Sequence, residues 1–548
     1  MNSKKSFCLF ILSFTAIIIC FAQPQPQKKP QPHPHPHPQK KPNIILILAD
    51  DMGFSDLGLM GSHIKTPAID KLAANGISFS NFYNTGRCCP SRAALLTGLY
   101  PHKVGMGWMT AADLKTNGYT GDLSTKSKTI AEVLSKNKYS CYMAGKWHVT
   151  ANKFINDTAS KHNWPLQRGF QKYFGILGGG DSYYIPNDLT SGNHIIAPPK
   201  NLYLTNAITD SALKFMQTHI KTYKKKPFFC YVAYTTPHRP LHALKPDIQK
   251  YKGTFSAGWD VLRVQKSNYL MTKGWTNKGT LITKKDKRIP KWSEVAETDK
   301  LTWQARMEVY AAQIDNMDQG IAKIIAMLKK NKQIDNTLIV FLSDNGGNEE
   351  MENNEMPKMP LSAIDSLGEE NPRYSYNREW AQVSNAPFRS YKSNIYEGGI
   401  ASPLIVQWPN YIKKAGTIIN QISHIIDVMP TILAAADVKF KPTDGINLLP
   451  SMLGKKINRK AIYFEHETAC GIRLGDWKLV SPKANKAPYL PVWELYNLKT
   501  DRAENNNVAN THSELVKKLA ANWHYWAKTT QVYPLDGRGW WEKVKPYN

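Results

Sequence analysis

The stretch "NIILILADDMG", residues 43 to 53, decides the fold. Ile44 to Leu48 form an unbroken apolar run, which reads as a strand buried on both faces; such strands belong to parallel sheets covered by helices. The run ends in Asp50-Asp51. Three other stretches share the layout. "YSCYMAGKWH" (139 to 148) ends in Lys146 and His148, "PFFCYVAYTTPHRPLH" (227 to 242) leads to His238 and His242, and "TLIVFLSDNGG" (337 to 347) leads to Asp344 and Asn345. Between them lie segments with apolar residues at helical spacing. That alternation predicts an α/β fold with a large, mixed but mostly parallel sheet flanked by helices. Ligands of open α/β sheets bind beyond the carboxyl ends of the strands. Two acidic pairs, a lysine and several histidines are therefore expected along one edge.

The helices carry their own punctuation. "TPAIDKLAANG" (66 to 76) predicts Thr66 as N-cap, Pro67 at the first helical position and a stop at Asn75-Gly76. "SKTIAEVLSKNK", "DSALKFMQTHIKTY" and the run from Trp303 to Leu328 read as core-facing helices. In "TGRCCPSRAALLTG" (85 to 98), Pro90 fits the first turn of a helix that stops at Gly98. Cys88 and Cys89 then sit at a helix N-terminus, where free N–H groups and the helix dipole favour an anion. Arg92 in the first turn opposes the dipole, which is reasonable if it points at a negative group. Asp50, Asp51, Asp344 and Asn345 offer only oxygen ligands, which suit a hard cation such as Ca²⁺ or Mg²⁺.

The N-terminus has a different character. Lys4 and Lys5, an apolar run to Cys20 and "CFAQ" have the layout of a secretory signal, with cleavage expected after Ala22. The apolar run is short for a membrane span, and no other segment is long and apolar enough. Residues 23 to 42, "QPQPQKKPQPHPHPHPQKKP", read as a stiff polyproline-like linker; His33, His35 and His37 fit a low-complexity tether better than a metal site. The net charge is +28, from 71 basic and 43 acidic residues. Export and the absence of a nucleic-acid motif favour an anionic small molecule or sulfated polymer over nucleic acid. Past the signal, Cys88, Cys89, Cys141, Cys230 and Cys470 remain, an odd number with no zinc-type spacing. Cys141 and Cys230 lie in strand-like runs and read as buried thiols.

Cys88-Cys89-Pro90-Ser91-Arg92 resembles the Cys-x-Pro-Ser-Arg signature of type I sulfatases. "PNIILILADDMGFSDLG", "AALLTGLYPH", "GKWH", "TPHRPLH", "LSDNGG", "SNIYEGGI" and "ELYNLKTDRAENNNVA" resemble blocks of that family in its usual order. The resemblance implies an alkaline-phosphatase-like fold, as in bacterial arylsulfatases. It also implies Cys88 oxidised to formylglycine by a maturation enzyme, with Cys89 as the variable position of the motif. Asp50, Asp51, Asp344 and Asn345 would hold one Ca²⁺ together with residue 88. Arg92 would hold the aldehyde hydrate, and Lys146, His148, His238 and Lys392 would surround the sulfate. His242 fits a structural or a substrate-contact role equally. Two departures from the family pattern, Val149-Thr150 after "GKWH" and Ala401 after "YEGGI", touch peripheral positions.

A sulfate ester needs a nucleophile, a leaving-group acid and charge stabilisation. His148 is assigned as base and His238 as acid, with Lys392 able to exchange that role. Residues 43 to 454 would form the catalytic domain. Residues 455 to 548 would form a small antiparallel sheet with a helix from Thr511 to Ala527. The 246 to 300 segment, with Trp259, Trp275 and Trp292, reads as an insertion near the site mouth whose aromatics either stack on sugars or pack. The expected function is hydrolysis of a sulfated carbohydrate by an exported, periplasmic or secreted sulfatase. Alternatives are a small-molecule arylsulfatase, a phosphatase or phosphodiesterase of the same superfamily, and a non-catalytic polyanion-binding protein.

Overall fold

The computed structural model describes residues 41–350, 359–371, 373–484 and 486–545. The expected signal segment and most of the Pro-rich stretch lie outside the described residues. Within them, no helix is long and apolar enough to cross a membrane.

The main sheet has ten strands, numbered here in chain order: β1 (Asn43–Ala49), β2 (Ile77–Phe79), β3 (Ser140–Gly145), β4 (Lys172–Ile176), β5 (Leu189–Ser191), β6 (His194–Ile195), β7 (Phe228–Ala233), β8 (Thr337–Ser343), β9 (Leu404–Gln407) and β10 (Thr417–Ile419). Their order across the sheet is β10-β2-β9-β8-β1-β7-β3-β4-β5-β6. The five central strands β8, β1, β7, β3 and β4 are parallel, and β9 returns antiparallel beside β8. Every residue of β1, β3, β7 and β8 is buried, as their continuous apolar sequences require.

Helices cover both faces. The longest, Glu297–Lys330, packs beside Leu204–Thr222 on one of them. It also settles how the helix Pro67–Ala74 is capped. Thr66 makes no cap; its hydroxyl donates to Asp70 and accepts from Gly58 N. The first free amides, Ala68 N and Ile69 N, instead donate to the Asp318 carboxylate at 2.9 and 2.8 Å. A buried carboxylate from another helix does the work expected of the local threonine.

Glycine is demanded at two close approaches. At Gly145, φ is +115° and a Cβ would stand 1.8 Å from the Ala233 carbonyl oxygen, so only glycine lets β3 turn out Lys146 against β7. At Gly346 a Cβ would stand 1.8 Å from Gly398 O, where the Asp344 loop meets the "YEGG" loop.

A second sheet of four antiparallel strands, Ile462–His466, Ala469–Leu474, Trp477–Ser481 and Glu494–Asn497, is followed by the helix Ser513–Thr529. A buried ion cluster ties it to the catalytic layer. Glu397, at the start of the short helix Glu397–Ile400, meets Lys478 at 3.1 Å and Arg502 at 2.9 Å, and Lys478 also meets Glu504 at 2.8 Å. The three tryptophans of the 246 to 300 segment pack rather than stand free, the second of the two expected readings. Trp259 and Trp275 are buried in the core, and Trp292 packs edge-on against Trp259 at 4.6 Å.

Candidate active site

Four of the five parallel strands deliver polar residues at the same edge. Asp50 and Asp51 follow β1, Lys146 and His148 follow β3, His238 follows β7, and Asp344 and Asn345 follow β8. Asp51 and His148 leave their strands with φ of +65° and +56°. Side chains other than glycine enter that region at a cost of ~1–3 kcal/mol, repaid by the surrounding contacts, and such strain clusters at functional sites.

Cys88 opens the helix Cys88–Thr97, all ten residues of which are buried. Arg92, one turn on, meets the anion its position called for. Its Nε and Nη2 donate to Asp344 Oδ2 at 3.1 and 2.8 Å, Nη1 donates to the Lys146 carbonyl at 2.9 Å, and Asp50 Oδ1 lies 3.5 Å from Nη2. Lys146 Nζ donates to Asp50 Oδ2 at 2.7 Å. Lys392 Nζ lies 2.8 Å from the Asp51 carboxylate, which also accepts from Asn345 Nδ2 at 2.7 Å and Asn348 Nδ2 at 3.0 Å. His238 Nδ1–H donates to the Arg239 carbonyl at 2.8 Å, leaving Nε2 facing Asp51 Oδ2 at 3.5 Å.

These contacts shape the charges. Burial opposes ionisation of Asp50, yet Lys146, His238 and Arg92 hold its carboxyl below the usual carboxylate range. Burial and the Asp50 charge push Asp344 well above that range, against Arg92. The hydrogen bond from Cys89, assisted by His148, Lys146 and Lys392, draws the Cys88 thiol well below its ordinary value against burial. Burial, then Cys88, pushes Cys89 up. Burial lowers His148 to about 4 despite the Cys88 charge, with Lys146 acting in the same direction. Burial also lowers His238, opposed by Asp51. Burial would lower Lys392, but Asp51 and Glu350 hold it above its ordinary value.

The donor set fits a hard cation. Among the described residues, Asp50 Oδ1 and Asn345 Oδ1 are buried without a hydrogen-bond partner, which leaves two oxygen donors beside the Asp51 carboxylate. Asp50, Asp51 and His238 bring ligand atoms within 4.8 Å of one another.

The structure brings together Cys88, Arg92, Lys146, His148, His238, Lys392, Asp50, Asp51, Asp344 and Asn345. It leaves His242 aside, buried between Tyr183 and Tyr184 with Nδ1 accepting from Tyr183 N at 3.3 Å. Val149 and Thr150 are buried, and Ala401 bridges to Tyr83, so both departures are packing positions.

Sequence reasoning passed over three neighbours. Cys89 Sγ lies 3.1 Å from His148 Nε2, which puts two thiols and an imidazole within 4.8 Å although no metal spacing is visible in the chain. Glu350 joins Arg87 at 2.6 Å and Arg239 at 3.3 Å, and Asn348 holds Asp51. Only the polar run after "LSDNGG" hinted at the last two. The five described cysteines are free and buried.

Comparison with known proteins agrees with this geometry. The family model described as Sulfatase matches residues 42–438, and one described as N-sulphoglucosamine sulphohydrolase, C-terminal, matches residues 390–528. The chain is 32% identical to an arylsulfatase of Klebsiella aerogenes over 73% of this chain and 88% of that protein. It is 28% identical to the N-acetylgalactosamine-6-sulfatase of Homo sapiens over 90% and 81%. Among solved structures, Ps i-CgsB in complex with k-i-k-neocarrahexaose superposes with a TM-score of 0.65 at 27% identity, covering 92% of this chain and 96% of that one. The carboxylate and lysine pairs at the strand ends, the buried Cys-Pro-Ser-Arg helix start and these matches lead to one conclusion: the chain belongs to the sulfatase family and is a sulfuric ester hydrolase.

Proposed function

We propose that the protein removes sulfate from a sulfated carbohydrate, with residue 88 carried as formylglycine and one Ca²⁺ held beside it. The observation that carries the reading is the ring of Arg92, Lys146, His148, His238 and Lys392 closing on Cys88 and the carboxylates of Asp50, Asp51 and Asp344. With a cation held by the carboxylates, Lys146 and Lys392 would present positive charge to a sulfate monoanion, in a site where burial strengthens each interaction.

Asp50, Asp51, Asp344 and Asn345 would hold the cation. Formylglycine supplies a geminal-diol nucleophile, and the cation supplies Lewis-acid stabilisation of sulfate oxygens. The chain's own residues do the rest. Lys146 and Lys392 orient the sulfate by charge. His148, neutral at physiological pH, accepts a proton at Nε2. His238 or Lys392 delivers a proton to the departing alcohol oxygen. Ester and water are converted to alcohol, sulfate and a proton. Arg92 positions Asp344 and Asp50 rather than standing free for substrate.

The sugar reading draws on the relatives that act on or bind sugars and on the basic surplus. The lysine-bearing N-terminus with its apolar run supports export to the periplasm or the medium, where such polymers are met. The experiment is a comparison of kcat/KM for an aryl sulfate, an aryl phosphate and a panel of sulfated mono- and oligosaccharides. Turnover of a sugar sulfate above the aryl sulfate supports the proposal. An aryl sulfate ahead by orders of magnitude with no sugar turned over removes the carbohydrate assignment. Preference for the phosphate would remove the mechanism.

A further inference from the structure

The edge opposite the active site carries an unpaired row of lysines. Six consecutive strands of the sheet, β9-β8-β1-β7-β3-β4, present lysine there. Lys41 stands before β1, Lys136 and Lys138 before β3, and Lys172 opens β4. Lys224, Lys225 and Lys226 precede β7, and Lys329, Lys330 and Lys332 precede β8. Lys413 and Lys414 follow β9, which runs the other way; Asn410 N donates to Asp335 O at 3.0 Å, fixing that turn beside the entry of β8.

These entry and exit segments hold twelve lysines and one acidic residue, Asp335. All but Lys41 are exposed, and among the described residues none of the twelve forms an ion pair. Lys226 lies over the Tyr223 ring at 5.5 Å and Lys172 over Phe215 at 5.9 Å, and Lys413 reaches the Asn410 carbonyl. At the centre of the row a small depression is lined by Lys41, Tyr223, Lys224, Lys226, Gln333 and Asn336.

The α/β topology explains part of this. Helices before parallel strands end at this edge, and lysine suits a helix C-terminus. That accounts for Lys136, Lys329 and Lys330, which lie in or beside a last turn. It does not account for Lys172, Lys224 to Lys226, Lys332, Lys413 and Lys414, which lie outside helices. Gathering like charges on one edge costs self-repulsion that a bound polyanion relieves. Six strands at ~4.8 Å spacing make the row ~24 Å long. A line of that length, built from point-like ammonium groups without arginine forks, matches a linear chain of sulfate groups better than a flat lipid surface.

We propose that this edge is a second, non-catalytic binding surface for a linear sulfated polysaccharide, holding the polymer while ester groups are hydrolysed at the other edge. The identity of the polymer rests on the sugar-sulfate reading above; the surface itself is tested without turnover. The probe is fluorescently labelled dextran sulfate, followed by anisotropy at ~0.1 M NaCl, where charges beyond ~10 Å are screened. The variant Lys224→Glu/Lys225→Glu/Lys329→Glu/Lys330→Glu should bind at least about tenfold more weakly. Its aryl sulfate kcat/KM should stay within about twofold, because none of the four touches the active site. The corresponding alanine variant guards against misfolding and should show a smaller loss in the same direction. Lys278→Glu/Lys528→Glu, placed elsewhere, should bind normally. Unchanged affinity in both fourfold variants, or an equal loss in the control, overturns the proposal. So does binding of phosphatidylglycerol vesicles that needs the four lysines while dextran sulfate does not bind. If dextran sulfate binding needs the row but no sugar sulfate is hydrolysed, the surface stands and the substrate reading falls.

Discussion

Cys89 Sγ and His148 Nε2 stand 3.1 Å apart, both buried, so the residue after Cys88 contacts the imidazole that the proposed mechanism uses as base. Among the described residues His148 has no hydrogen-bond partner at Nδ1, so the Cys88 and Cys89 thiols are the polar groups at its ring. Replacing Cys89 by alanine should lower kcat by roughly tenfold or more, with a smaller change in KM, because misplacing a catalytic group by about an ångström costs rate more than binding. Serine should recover part of the loss. An alanine variant with wild-type kcat would show that the contact does not position His148.

Conversion should be confined to residue 88. Peptide mass spectrometry after co-expression with the maturation enzyme should find the aldehyde at 88 and a thiol at 89. Cys88→Ala should lose at least about 10³-fold in kcat/KM while folding normally, as expected when a nucleophile is removed and the surrounding charges remain. Retained turnover in that variant would end the formylglycine mechanism.

Removing the divalent ion should abolish activity and lower the melting temperature. Asp50 and Asp51 lie together, Arg92 joins Asp50 to Asp344, and among the described residues Asp50 Oδ1 and Asn345 Oδ1 lack hydrogen-bond partners. Ca²⁺ at a hundredfold excess over its Kd should restore ~2.7 kcal/mol of stability, and Zn²⁺ should restore less activity, given the oxygen donors. Calorimetry with and without chelator reads this directly; identical melting curves and full activity in chelator would count against the site.

The acid limb of kcat/KM should lie well below the ~6.5 of free histidine. His148 must be neutral to accept a proton, and burial lowers it to about 4. Activity tied to His148 is therefore present above about pH 4 and lost as pH falls through that value. A bound cation and conversion of the Cys88 thiol both act further downward, since one adds positive charge and the other removes a negative neighbour. A limb at 6.5 or above, unchanged in His148→Asn, would assign the titration elsewhere.

Glu397→Gln should destabilise the protein by ~3–5 kcal/mol, since it leaves Lys478 and Arg502 buried with one carboxylate fewer. The loss should appear in thermal melting, with the remaining folded protein active. A change below about 1 kcal/mol would mean that water or Glu504 takes over the pairing.

The α/β class, the parallel core strands and the gathering of polar residues at the strand ends were legible because each depends on local facts. An apolar run too long to alternate must be buried on both faces, and a polar group directly after it must emerge at the sheet edge. The "CCPSR" helix start and the oxygen ligands follow from neighbours in the chain. What the sequence left open depended on partners distant in it. Thr66 has every local feature of a cap, yet Asp318, 250 residues from Ala68, takes the first free amides of the helix it precedes. The contact of Cys89 with His148 had no signal in the chain because 59 residues separate the two. Trp259 had no readable period because tryptophans of two other helices, Trp303 and Trp380, pack against it. Chain order states which residues exist and what each prefers locally; which buried polar group satisfies which is decided only when the sheet brings its strand ends together, because the cost of leaving one unpaired is paid in three dimensions.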